Sequence, residues 1–160
     1  MPTIDFDHQL VWNFLDRFGK WYASTPMTRK MLHRGKPGKC FANARAFSNC
    51  DRENVRYIEG MAGNSKTGTL HAWNVIKPGF VRWIKADVAV DCTWAVPLQM
   101  WHPFYCGVDF DLEFSKDIIV RQRRAMGWPD EGKSPDPKHG GFSVLTYEPL
   151  LLGKVAPYEF

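Results

Sequence analysis

The sequence predicts an α+β fold in which helices pack on an antiparallel sheet. Three observations carry that expectation. Apolar residues recur at helical spacing near the N-terminus, at Leu10, Val11, Phe14, Leu15, Phe18 and Tyr22. Short β-prone runs separated by turn residues fill the middle of the chain, from Val55 to Asp91. Helix-favouring segments lie on either side of those runs, after the Gly35–Gly38 break and again after Ser115. The 160 residues fit one domain, expected to span 1–160. A chain of this length buries roughly two-thirds of its unfolded surface, enough for a core without staples.

The elements follow in order. The first helix is expected over His8–Tyr22, capped by Asp5 or Asp7 and weakened at Gly19. Pro26 opens a short helix through Met31 and Leu32. Gly35, Pro37 and Gly38 then break the chain. Cys40 to Asn49 follows, with three alanines, and reads as a helix with Phe41 and Phe47 turned inward. Strands are expected at Val55–Met61, Leu70–Ile76, Phe80–Ile84 and Val88–Asp91. Polar or Gly/Pro turns divide them, the sharpest at Lys77-Pro78-Gly79. Trp94 to Gly107 reads as irregular and aromatic. Lys116–Met126 reads as a helix capped by Ser115, with Ile118, Ile119 and Ala125 facing inward. Gly127 to Gly141 is a long Gly/Pro-rich loop, and Phe142–Tyr147 is expected to be a last strand.

Composition narrows the function. The net charge is +4 and the excess is spread out, with two loose clusters, Arg29, Lys30, Arg34, Lys36 and Lys39, and then Arg121, Arg123 and Arg124. Nucleic-acid binding would want a denser stripe interleaved with exposed aromatics, so that partner is not expected. No apolar run is long enough to span a bilayer, and Met1–Asp7 lacks the pattern of a secretory leader. A cytoplasmic protein with reduced thiols is therefore expected. Cys40, Cys50, Cys92 and Cys106 form no CxxC pair, and the histidines do not fall at ligand spacing from them. No Walker A, GxGxxG or HExxH motif occurs either. Neither a metal nor a cofactor is expected.

Three residues carry chemistry together that none carries alone. Cys40 falls at a helix start, where unpaired amides and the helix dipole favour a thiolate and an oxyanion, and Lys36 and Lys39 act in the same sense. Read alone, it is a small buried hydrophobe at least as readily. His71 lies 31 positions later in the strand-like run Leu70-His71-Ala72-Trp73, and imidazole is the base that titrates near neutrality. Asp91 lies a further 20 positions on, at the end of an apolar run, where it supplies either a turn cap or the acceptor that orients a catalytic histidine. Neighbouring strands would set His71 beside Asp91, with Cys40 facing them from a helix.

This ordered set resembles the transglutaminase-like superfamily of the papain-like cysteine fold. The matching runs are Lys39-Cys40-Phe41-Ala42-Asn43-Ala44, Tyr57-Ile58-Glu59-Gly60, His71-Ala72-Trp73, Asp91-Cys92-Thr93-Trp94 and Tyr105-Cys106-Gly107-Val108, covering roughly Lys39 to Val108. The chain departs from the pattern at Cys92, where the family usually has Pro, and that change puts the geometry of the turn in question. A fainter likeness, with Arg34-Gly35 before Cys40-Phe41, is to arylamine N-acetyltransferases.

The resemblance implies a cysteine-dependent hydrolase or acyltransferase. Cys40 would attack an amide or thioester carbonyl of a peptide, protein or small substrate, with His71 as acid/base and Asp91 as its orienter. Trp73, Trp94 and Asn43 are expected to line the substrate cleft. The Cys40 amide, helped by Gln9, Trp21 or Asn43, would hold the oxyanion. His102 is an alternative base, and Glu59 is either a cleft residue or a structural one. The competing readings are a binding module that keeps the fold without turnover and a basic nucleic-acid binder.

Overall fold

In the computed structural model, residues 8–25, 35–63, 68–94, 103–125, 127 and 143–147 are described. The elements are α1 (His8–Phe18), β1 (Lys20–Tyr22), α2 (Cys40–Cys50), β2 (Val55–Gly63), β3 (Gly68–Ile76), β4 (Val88–Val90), β5 (Phe104–Phe110), α3 (Leu112–Ala125) and α4 (Val144–Tyr147). The strands form one sheet in the order β1-β5-β2-β3-β4, with every neighbouring pair antiparallel. This is an α+β fold.

The β2–β3 hairpin is the spine of the sheet, paired from Val55↔Ile76 to Gly63↔Gly68. Side chains alternate across a strand, so the hairpin has two distinct faces. Ile58, Gly60 and Ala62 share one face with His71, Trp73 and Val75; Tyr57, Glu59 and Met61 share the other with Leu70, Ala72 and Asn74. The sheet curls until its edges meet. Ser24, just after β1, bridges Ala89 of β4 in parallel, with Thr25 N–H donating to the Ala89 carbonyl (2.9 Å) and Ala89 N–H to the Ala23 carbonyl (2.8 Å). Joining the two edges satisfies backbone groups that would otherwise stay open.

The curl encloses a cluster of Ile58, Ala62, Trp73, Val75, Ala89 and Tyr105. A second cluster lies under the helices, where Val11, Phe14 and Leu15 of α1, Phe41 and Ala44 of α2 and Ile118 of α3 meet Tyr57, Met61, Ala72, Cys106 and Val108 of the sheet. Gly107 shows how tight the enclosed side is. A β-carbon there would lie 2.5 Å from the Trp73 ring, 2.7 Å from the Glu59 carbonyl and 2.7 Å from Ile58 Cγ2.

Several elements differ from the sequence expectation. The first helix stops at Phe18 and Lys20–Tyr22 is an edge strand; Gly19 N–H closes the last turn on the Leu15 carbonyl at 2.7 Å. Tyr22 kept the helical period only because a strand residue facing the interior happens to fall four positions after Phe18. Phe80–Ile84 is a pair of turns, closed by Ile84 N–H on the Val81 carbonyl (2.9 Å) and Gly79 N–H on the Ile84 carbonyl (3.1 Å). Phe104–Phe110, expected to be irregular up to Gly107, is an interior strand of the sheet. The third helix begins at Leu112, with Asp111 as its cap through Oδ1 to Phe114 N–H (2.9 Å), and Ser115 is already inside it. Val144–Tyr147 is one helical turn, not a strand. The short helix expected from Pro26 to Leu32, and the loop over 128–141, lie outside the described residues.

Among the described residues, no helix is long and apolar enough to cross a membrane. All four cysteines are free thiols, Cys40, Cys92 and Cys106 buried and Cys50 exposed.

Candidate active site

Helix α2 starts at Cys40, immediately after the turn at Gly38, whose φ of +73° suits a residue without a β-carbon. No side chain caps this helix, so its first-turn amides are not covered by a capping oxygen. Two polar contacts fix α2 against the sheet. Asn74, fully buried on β3, donates Nδ2 to the Ala44 carbonyl (2.8 Å) and to Ser48 Oγ (2.9 Å). Asn43, three residues after Cys40, donates Nδ2 to Thr93 Oγ1 at 2.8 Å. The first contact docks the helix on the strand of His71, and the second docks it on the turn of Asp91.

β4 ends at Val90, and continuing its register by one residue puts Asp91 opposite Trp73, on the His71 face of β3. His71 Nε2 meets Asp91 Oδ2 at 2.6 Å. The Cys40 thiol interacts with the same imidazole and helps hold it charged. With Nε2 engaged by Asp91, Nδ1 is the ring nitrogen left for Cys40. The sulfur, the imidazole and the carboxylate thus form one chain of contacts. All three side chains are buried, Cys40 at 9 % exposure, His71 at 1 % and Asp91 at 7 %.

The carboxylate is held by four donors. Oδ1 accepts the backbone N–H groups of Thr93 (2.8 Å) and Trp94 (2.9 Å), and Oδ2 accepts His71 and the Tyr105 hydroxyl (3.1 Å). Burial alone would raise the Asp91 pKa, but the His71 hydrogen bond and charge, followed by the Trp94 and Thr93 amides, hold it below the usual carboxylate range. For His71, burial works to lower the pKa; the hydrogen bonds to Asp91 and Cys40 outweigh it and hold the imidazole at about 9. The electrostatic consequence is an imidazolium against a carboxylate at neutral pH.

Trp94 lies flat on the His71 ring, with centroids 3.6 Å apart and planes 10° apart. It covers the imidazole while its own N–H holds Asp91. With Cys92 in it, the turn makes both amide contacts to Asp91. Cys92 itself is buried beside Asn74, its Sγ 3.9 Å from Asn74 Oδ1, and burial followed by the Asp91 charge pushes its thiol up to about 12.

Two residues expected in the cleft are placed elsewhere. Trp73 is wholly buried inside the curl, with its ring edge-on to Tyr105 at 5.1 Å, because its position on β3 points it to the enclosed side. Asn43 is buried too, and its amide is committed: Oδ1 accepts Lys36 N–H at 3.0 Å, and Nδ2 donates to the Lys36 carbonyl (2.8 Å) and to Thr93. With both amide hydrogens engaged, it braces the site and has none to offer an oxyanion. Gln9 donates to Asn13 on the exposed side of α1, and Trp21, 68 % exposed, stacks with Trp12 and lies tilted against Phe104. His102 lies outside the described residues.

Glu59 is a fully buried anchor on the helix side of the sheet. It accepts hydrogen bonds from the Tyr57 hydroxyl (2.5 Å), Ser143 Oγ (2.7 Å), Val144 N–H (2.9 Å) and Leu145 N–H (3.0 Å). Sequence reasoning also missed Tyr105, because Phe104-Tyr105-Cys106-Gly107-Val108 carries no alternation that would single it out. Among the described residues, no group of three or more His, Cys, Asp or Glu is placed to hold a metal ion. Of the basic clusters, Arg29, Lys30 and Arg34 lie outside the described residues, and Arg123 and Arg124 sit in the last turn of α3, where cations suit the helix dipole.

No family model matches the chain, and no match was found among curated proteins or solved structures.

Proposed function

We propose that this chain is a cysteine-dependent hydrolase or acyltransferase that acts on an amide carbonyl, and that its fold is of the transglutaminase-like, papain-like cysteine type. One observation carries the reading: the contact chain from Cys40 to His71 to an Asp91 carboxylate secured by four donors. A histidine that served only packing would need neither a thiol on one ring nitrogen nor a buried anion on the other.

The chemistry runs in two halves. In the reactive form the Cys40 proton already resides on His71, as an imidazolium paired with the thiolate, and the sulfur attacks the carbonyl carbon, whose oxygen becomes an oxyanion beside the first-turn amides of α2. The intermediate collapses, the C–N bond breaks, and His71 returns the proton to the leaving amine. Water or an acceptor amine then attacks the thioester with His71 as base, releasing Cys40. Asp91 keeps the imidazole in the orientation that presents Nδ1 to sulfur and stabilises the imidazolium. A peptide, a protein or a small amide all offer the group required.

Alkylation of Cys40 tests this reading. The wild-type protein is treated with iodoacetamide at pH 7 and the modified residue is identified by mass spectrometry, with Cys40→Ala and His71→Asn alongside. Cys40 is expected to react faster than exposed Cys50, and His71→Asn is expected to slow it at least tenfold. Equal labelling of Cys40 in wild type and His71→Asn would remove the catalytic reading in favour of a binding module.

A further inference from the structure

Asp91 Oδ2 accepts two hydrogen bonds, and only one comes from His71. The other comes from Tyr105 on β5, which is separated from β4 in the sheet order by β2 and β3. The contact therefore spans the interior of the curl. The Tyr105 ring is buried and held edge-on to Trp73 at 62°, which fixes the direction of its hydroxyl.

We propose that Tyr105 is a positioning residue of the site, whose hydroxyl donates to Asp91 Oδ2 to keep that carboxylate ionised and turned toward His71. The inference rests on the acyl-transfer reading of Cys40, His71 and Asp91. Its physical basis is the coordination of the anion. The Thr93 and Trp94 amides fix Oδ1, and with Oδ2 held by His71 alone the acid could still rotate or take up a proton. A second donor on Oδ2 disfavours both. The groups facing Asp91 are His71 from β3, Tyr105 from β5, the amides and the Cys92 thiol of its own turn, and Cys40 of α2 beyond the imidazole. Burial, with the Asp91 charge next, holds the Tyr105 proton in place through the working pH range, so the hydroxyl is always a donor.

The test is Tyr105→Phe, which keeps the ring and removes only the hydroxyl. With carboxyl-labelled aspartate, the Asp91 resonance is titrated by NMR in wild type and variant, and the pH profile of Cys40 alkylation by iodoacetamide is recorded on the same samples. Loss of one hydrogen bond to a buried charge is expected to raise the Asp91 midpoint by about one pH unit. The acid edge of Cys40 alkylation is expected to rise with it. An unchanged midpoint overturns the proposal and leaves the catalytic reading intact; a shifted midpoint with an unchanged alkylation profile makes Tyr105 purely structural and overturns it too. A wild-type Cys40 no faster than Cys50 defeats the catalytic reading itself, and the proposal with it. If the Phe variant does not fold, ring-carbon-labelled tyrosine in the wild type replaces it: the Tyr105 Cζ resonance must step at the Asp91 midpoint, and a flat trace rejects the contact.

Discussion

Asn43 and Thr93 share a hydrogen bond of 2.8 Å that ties the helix beginning at Cys40 to the turn that holds Asp91. Cys40 and Asp91 lie on different elements, and this contact sets their separation together with the Asn74 bonds to α2. Asn43→Ala strips the Lys36 amide and carbonyl of their side-chain partner as well as Thr93. It is expected to cost about 2 kcal/mol in urea unfolding. Combined with Thr93→Val in a double-mutant cycle, the two losses should fall short of additive by at least 0.5 kcal/mol, about the coupling usual for residues in direct contact. Full additivity would mean that the bond does not couple the helix to the turn.

The ion pair sets a pH window. His71 is raised from 6.5 to about 9, so its contribution to stability is complete below 6.5 and disappears as the pH climbs through about 9. Asp91 is lowered from 3.8, so its contribution is present above 3.8 and is lost as the pH falls through its still lower folded value. Thermal stability is therefore expected to hold a plateau from about pH 4 to pH 6.5 and to decline on both sides. In His71→Asn the alkaline decline near pH 9 should be absent when melting is followed by circular dichroism.

Gly107 has no room for a side chain. Gly107→Ala sets a methyl against the Trp73 ring and the Glu59 backbone, neither of which can retreat in the enclosed side of the sheet. A loss of about 1–3 kcal/mol is expected from overpacking. Pairing it with Trp73→Phe should recover part of that loss; a double variant no more stable than the Ala variant alone would assign the strain to the backbone contact.

Glu59→Gln puts amide hydrogens where the buried carboxylate accepts from Tyr57, Ser143, Val144 and Leu145. At least two donors would face a donor, at a cost of about 2 kcal/mol or more. Hydrogen exchange should quicken first at Val144 and Leu145, whose amides lose their acceptor. Uniform quickening across the sheet would instead mean that the anchor belongs to the global core.

The parts of the fold legible in the sequence are those set by local pattern. The Gly35–Gly38 break placed the start of α2 at Cys40, and the Lys77-Pro78-Gly79 turn ended β3 at Ile76. The His71–Asp91 contact was legible because Asp91, one residue past β4, continues its register onto the His71 face of the neighbouring strand. β5 was obscured because it lies between two strands and is buried on both faces for most of its length, so it shows no alternation of polar and apolar residues. The role of Tyr105 could not be read at all, since it depends on how far the sheet curls. Trp73 was misplaced for a related reason: a tryptophan beside a reactive histidine reads as cleft lining until the curl has an inside. Asn43 revealed its position on the helix but not that its amide would be consumed by Lys36 and Thr93.

The strand order has a consequence for synthesis. β1 lies next to β5, so Lys20–Tyr22 have no ladder partner until the chain has been made through Gly107, although the extension at Ser24 closes on β4. The donor that completes the Asp91 carboxylate arrives in that same last strand. A nascent chain ending before Phe104 holds Cys40, His71 and Asp91 without β5 and without the Tyr105 hydroxyl, so the donor set around Asp91 is complete only once the ribosome has passed the last strand.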